Sequence, residues 1–310
     1  MTEVEVGYDS LTSCFYFEET RLKSRTKMVG CRELFCRLGV MPLLFSLCST
    51  VTFIITYSVA VADGHVYPFL PAISDTGGIK PESNIFGFCL SACSFLGFVS
   101  VVIRYYQYRF VSENNEEHRP RLVCVNKIAL VIGIVSTGGA LLVAAFQDRG
   151  VSLNMHIVGA LAVFGFGVLY CFVQTYLSFK MFACGMNSKR ICLIRLTIAF
   201  FSLLFFIGNQ VFGNLAGQAR DRDPPTQKSH DRPHWYPEDS GFKYNVLGNA
   251  SEWLMALSFF VYFLTFIPEF NKVKMSFSVK SDDYSMLLPF QQSGESKDGG
   301  HDDDDEMITA

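Results

Sequence analysis

Six apolar stretches, near 40–62, 85–103, 128–146, 156–179, 192–215 and 247–267, constrain the fold more than any other feature of the 310 residues. An α-helix rises about 1.5 Å per residue and a bilayer's hydrocarbon core is about 30 Å thick, so roughly 20 apolar residues cross it. Each stretch has that length or falls within a residue or two of it. Backbone N–H and C=O groups in lipid must be satisfied internally, and these runs lack the alternation of barrel strands. The sequence therefore predicts an all-α polytopic membrane protein, a six-transmembrane-helix bundle. Half of the residues are hydrophobic, only 18% are charged and phenylalanine occurs 30 times, all high in apolar content for a soluble domain. The first stretch is too long for a signal-peptide core and follows 39 residues of polar tail, which reads as a retained anchor.

Lysine and arginine alternate between the segments. With both termini cytosolic, 19 of the 26 fall on the cytosolic side, the sense of the positive-inside rule. This count gives Arg104 to the second loop and Arg195 to the fourth. The loop at 216–245 breaks the alternation through Arg220, Arg222, Lys228, Arg232 and Lys243, which are interleaved with acids. The domain reading is a cytosolic tail over 1–39, a membrane domain over 40–267 and an acidic, disordered cytosolic tail over 268–310. Met28 is an alternative start that would shorten the first tail.

None of the ten cysteines falls in an expected exoplasmic loop, so no disulfide is expected there. Cys31 and Cys36, and with them Cys124, Cys184 and Cys192, lie near the expected cytosolic face, where a thiol can accept palmitate; the plainer reading is a set of inert small hydrophobes. The basic stretch from Arg21 to Arg37 is suited to anionic lipid. The first exoplasmic loop, YPFLPAISDTGGIKPES, is stiffened by prolines and turn formers. Asp75 and Glu82 lack the dense oxygen spacing of a calcium loop. The Asn249-Ala250-Ser251 sequon lies at the mouth of the last span and is expected to stay unmodified.

Polar side chains inside spans are costly and face partners or cavities. Asn126, His156, Gln174, Asn209, Gln210 and Glu252 are of this kind. A transport or catalytic reading draws on His156, Gln174 and Glu252; interhelical hydrogen bonds are the bland alternative. Glycines 133, 138, 139, 159, 165 and 167 suggest close contact between the third and fourth spans. In the C-terminal tail, DDYSMLL holds Asp283 ahead of Leu287 and Leu288, an acidic-dileucine pattern. Tyr284 with Leu287 forms an overlapping tyrosine pattern. Clathrin adaptor complexes bind such extended segments through spaced side-chain pockets.

Pro71-Ala-Ile-Ser74-Asp75-Thr76-Gly77, Pro81-Glu82 and Phe86-Gly87 resemble the damage-regulated autophagy modulator (DRAM) family, within a wider Frag/DRAM/Sfk superfamily. The resemblance continues through Asn126-Lys127, Phe146-Gln147, His156, Tyr170, Gln174 and Arg195. It closes on His234-Trp235, Pro237-Glu238-Asp239, Gly241, Glu252-Trp253 and Phe270, covering about 40–275. It implies a six-span protein of lysosomal or late endosomal membranes that promotes autophagy and links it to cell death. Plasma membrane or Golgi is the alternative location. The expected partners are membrane lipids, clathrin adaptors and unidentified autophagy regulators.

The residues contain no nucleophile–base constellation, phosphate-binding glycine loop, metal-ligand spacing or nucleic-acid patch. The leading expectation is therefore a non-enzymatic regulator without a cofactor. A lipid-handling protein or transporter is the runner-up, and an intramembrane enzyme using His156 with Glu252 comes third. The runner-up requires His156, Gln174 and Glu252 to face one cavity.

Overall fold

In the computed structural model, the apolar stretches form helices, most of which extend beyond the stretch at one end or both. The structure describes residues 14–19, 38–113, 119–147, 151–183, 187–223 and 235–278. The helices are α1 (Val40–Ala62), α2 (Glu82–Glu113) and α3 (Arg119–Ala145), then α4 (Val151–Leu161), α5 (Gly167–Ala183) and α6 (Lys189–Arg222). α7 (Phe242–Leu264) and a one-turn α8 (Ile267–Phe270) follow. A π-helical turn, Ala162–Phe166, joins α4 to α5, so the two form one span. Six helical segments are long and apolar enough to cross a membrane, as expected.

Each span packs on the next in sequence, and α7 closes the ring against α1. Each connection joins adjacent spans at one end of the bundle, so consecutive spans run antiparallel. One end of the bundle therefore gathers the starts of α1, α3 and α6 with α8, here called the terminal end. The other gathers the 63–81 and 235–241 connections, the loop end. Leu47, Ile54, Phe88, Phe95 and Phe200 are more than half exposed on the outer surface, an apolar belt suited to lipid. Inside, Phe53, Phe86, Val143, Ala256 and Phe260 pack toward the loop end. Tyr170, Cys171, Tyr262, Phe263, Phe266 and Phe270 pack toward the terminal end.

Two six-residue strands, β1 (Cys14–Glu19) and β2 (Val273–Ser278), pair in a two-stranded sheet; both lie in the segments read as tails, outside the membrane domain of 40–267, whose described elements are all helical as expected. The chain divides into a unit of Phe17–Met275, which holds the bundle, and a second unit of Met1–Tyr16 with Ser276–Ala310. Asp283, Tyr284, Leu287, Leu288, Cys31, Cys36, Cys184 and His234 lie outside the described residues.

Several helices extend beyond their apolar runs, and the second span shows why a charge need not end one. The second span was expected to stop at 103, where Arg104 begins a polar stretch, yet α2 continues to Glu113. Arg104 and Arg195 are fully buried rather than in loops, and Glu269, assigned by sequence to the tail, is 6% exposed. Charges end a span only when water is their best partner; these three find partners inside. Cys192, considered for acylation, is also buried, and its thiol donates to the Ser178 carbonyl at 3.3 Å.

Candidate functional site

The three misplaced charges form the polar centre of the terminal end. Pro268 has no N–H with which to continue α7, and α8 begins one residue earlier, carrying Glu269 back toward α2 and α6. The Glu269 carboxylate pairs with Arg104 Nη1 through Oε2. Its Oε1 lies 2.9 Å from Arg195 Nη1, an ion pair whose angle falls outside hydrogen-bond geometry.

Every remaining guanidinium face has a partner. Arg104 donates to Gln107 Oε1 at 2.6 Å, to the Tyr108 hydroxyl at 3.0 Å and to Gln174 Oε1 at 3.3 Å. Arg195 donates to Ser178 Oγ at 2.8 Å and to Thr265 through Oγ1 and the carbonyl, both at 2.9 Å. The Thr265 carbonyl caps α7, so Arg195 also meets the negative end of that helix. Phe266 sits between the two cations, 4.6 and 4.8 Å from their guanidinium carbons. Two cations share one carboxylate, and neutral dipoles and a ring face disperse the excess charge.

A second feature lies between the terminal cluster and the loop end. A cavity of about 130 Å³ is lined by α1, α2, α3, the α4–α5 span and α7, with Ile73 and Ser74 of the first loop. Its walls are mostly apolar, with Phe53, Phe86, Leu90, Val163, Phe259 and Phe260 among them. Ser94 and Ser136 also line it, but their hydroxyls are spent on the Thr137 and Val163 carbonyls. The Tyr170 hydroxyl on the wall is buried and has no hydrogen-bond partner among the described residues. Engineered apolar cavities of about 150 Å³ stay dry and take up benzene-sized groups. This cavity suits an apolar group carrying one hydrogen-bonding function.

His156 and Glu252 both line the cavity near its loop end. His156 Nδ1–H donates to the Phe146 carbonyl at 2.8 Å, and Glu252 faces the backbone amides of Ile73 and Ser74. Gln174 is elsewhere, against Arg104. The three residues singled out for a transport path therefore do not face one cavity. Asn126 and Asn209 donate to the Tyr105 and Gly248 carbonyls, as interhelical contacts do.

The family-motif residues build the cover at the loop end. Pro71 and Leu70 offer carbonyls to Trp253 Nε1 at 2.9 Å and Asn249 Nδ2 at 3.0 Å, tying the first loop to α7. With Nδ2 committed and the side chain buried, Asn249 has no room for a glycan. Ser74 precedes a 3₁₀ turn over Asp75–Gly77. Thr76 is buried against Thr56, and Gly77 lies under the Phe86 ring. Asp239 accepts the Tyr236 N–H at 2.9 Å, closing a turn over the exposed Pro237 and Glu238. Trp235 stacks 4.5 Å from the Arg220 guanidinium carbon. Gly241 has φ +90° and approaches the Ala216 carbonyl so closely that a side chain there would collide. Tyr67 meets Tyr236 and Phe242 edge-on at 6.1 and 5.8 Å, joining the two loops.

Sequence reasoning missed the terminal cluster. Its local signals were present: Gln107 and Tyr108 stand three and four residues after Arg104, and Ser178 four after Gln174, placing each set on one helix face.

A ring of six spans with a covered loop end, an apolar cavity and a buried ion cluster defines a polytopic integral membrane protein. The chain belongs to the Frag1/DRAM/Sfk1/Cwh43P family, whose N-terminal domain description matches residues 37–273. It is 36% identical over 244 residues to DNA damage-regulated autophagy modulator protein 1 of Homo sapiens, covering 78% of this chain and 95% of that one. It is 34% identical over 241 residues to the Xenopus laevis protein 1, covering 77% and 93%. Against the Bos taurus protein 2 it is 35% identical over 238 residues, covering 77% and 86%. These identities do not separate types 1 and 2. No solved structure matches the chain.

Proposed function

We propose that this protein regulates autophagy, with a link to cell death, from the membrane of lysosomes and late endosomes. It does so without catalysis, by binding partners or lipids. Similarity to proteins named autophagy modulators over more than three-quarters of the chain carries the regulatory part. The apolar cavity with its unpartnered Tyr170 hydroxyl supports the lipid part. In this reading both termini face the cytosol, and clathrin adaptors recognise Asp283, Tyr284, Leu287 and Leu288.

Autophagic flux under starvation is the measurement. Cells lacking the protein are expected to lose flux and to recover it with the wild-type chain. Ala140→Phe, which fills the cavity from its α3 wall, is expected to reach the same membranes without restoring flux. Unchanged flux on removal of the protein overturns the regulatory reading; full rescue by Ala140→Phe overturns the cavity's part in it.

The sorting signal has its own test. Changing Tyr284, Leu287 and Leu288 together to alanine removes the apolar anchors that adaptor pockets hold. The variant is expected to keep wild-type thermal stability and to move from lysosomes toward the cell surface. Lysosomal levels equal to wild type would show that the tail segment is not used.

Lipid handling by transport is the second reading. His156 on α4 and Glu252 on α7 both line the cavity and favour binding of an amphiphile there, while Gln174, held against Arg104, leaves the transport path without one of the three residues it requires.

A further inference from the structure

α1 ends at the loop end in a Schellman arrangement. Gly64 has φ +70°, His65 N–H bonds the Ala60 carbonyl at 2.8 Å, and Gly64 N–H bonds the Val61 carbonyl at 3.2 Å. This fixes Asp63 and His65 on either side of the glycine. Glu82 opens α2 directly after Pro81, and the two helix ends meet there. His65 Nδ1 lies 2.7 Å from Glu82 Oε1, and the ligand atoms of Asp63, His65 and Glu82 all lie within 4.8 Å of one another. Two helix termini thus hold three potential metal ligands from outside the apolar cavity.

A second observation points to a ligand. Glu82 is fully buried, yet its Oε2 has no hydrogen-bond partner among the described residues. A carboxylate oxygen buried without a donor is costly, and bound cations are among the groups that satisfy one. Asp63 adds to the case because its carboxylate stands at the C-terminus of α1, where the helix dipole disfavours a negative charge and favours a cation.

We propose that Asp63, His65 and Glu82 bind a zinc ion. One imidazole nitrogen with two carboxylates suits zinc, whereas calcium and magnesium favour oxygen alone. Ligand atoms around a tetrahedral zinc stand roughly 3.3 Å apart at bond lengths near 2.0–2.1 Å. The ion enters by taking the place of the proton between His65 and Glu82, which part by about half an ångström while the exposed Asp63 swings inward. The proton leaves to solvent, and a water completes the fourth position. Because Asp63 and His65 follow α1 while Glu82 begins α2, the ion clamps the first loop that covers the cavity.

The test uses the full chain in lipid nanodiscs, stripped with a chelator and titrated with Zn²⁺ against a chromogenic competitor. The sequence His301-Asp302-Asp303-Asp304-Asp305 also offers potential zinc ligands, so all samples carry His301→Ala. One zinc per chain is expected. His65→Ala and Asp63→Asn are each expected to weaken binding roughly tenfold or more, while Lys80→Ala leaves it unchanged. Asp63 is exposed, so its variant keeps the test valid if the other does not fold. Binding that is absent at micromolar zinc, or that is insensitive to both substitutions, would overturn the site.

Discussion

Glu269→Ala is expected to destabilise the bundle by about 3–5 kcal/mol, the usual cost of removing one partner from a buried ion pair. The physical cause is the charge left behind. Arg104 and Arg195 are both fully buried, and Glu269 is the carboxylate that both face. Their remaining contacts, to Gln107, Tyr108, Gln174, Ser178 and Thr265, are neutral and do not offset two cations in a low-dielectric interior. Glu269→Gln keeps a hydrogen-bond acceptor but not the charge, so it is expected to lose nearly as much. Thermal unfolding in nanodiscs measures both. The combination Arg104→Met, Arg195→Met and Glu269→Leu removes the charges together and is expected to recover the part of the loss due to unpaired charge, less the cost of leaving Gln107, Tyr108, Gln174 and Ser178 buried without their guanidinium partners. A Glu269→Ala variant within about 1 kcal/mol of wild type would show that the cluster does not hold the terminal end together.

The same cluster marks the limit of what the sequence discloses. α1 runs from Val40 to Ala62, the bounds its hydropathy indicates, because no charge interrupts it. α2 outruns its apolar stretch by ten residues because the arginine that interrupts hydropathy is neutralised from 165 residues away. Single-sequence reading treats such a charge as a boundary, and only the fold reveals the partner. The first family-motif segment was legible as a compact loop from its prolines and turn formers, and the structure gives both segments a local cause: carbonyls offered to Trp253 and Asn249, a turn closed by Asp239, a positive φ at Gly241. Asp63 and His65 were not legible as ligands. Their relation to Glu82 depends on a helix C-terminus folding back on the next helix start, and the only hint was Gly64 just past an apolar run. The cavity left no pattern either, because its lining comes from five spans at unrelated spacings.

Gly139 carries the second large effect. A methyl group placed there would sit 2.5 Å from the Val163 backbone nitrogen, 2.7 Å from Ala162 Cβ and 2.8 Å from the Gly159 carbonyl oxygen. Across the same contact, a methyl at Gly159 would lie 3.0 Å from both the Gly139 carbonyl oxygen and the Val143 nitrogen. Most of these neighbours are backbone and cannot turn aside as a side-chain tip can. α3 and the fourth span therefore touch through their main chains, beside the π-helical turn at Ala162–Phe166, and small residues permit that approach in membranes. Gly139→Ala is expected to cost about 1–3 kcal/mol, and Gly139→Leu more, by forcing the spans apart. Gly138 supplies the control. It follows the same helix one residue earlier, and a methyl there meets nothing within 4 Å. Gly138→Ala should be neutral or stabilising by about 0.5–1 kcal/mol, because alanine loses less backbone freedom than glycine on entering a helix. Thermal unfolding of the two alanine variants side by side separates close packing from helix propensity, since propensity favours both substitutions equally. Equal stability in the two would mean that the third and fourth spans stand further apart than the structure places them.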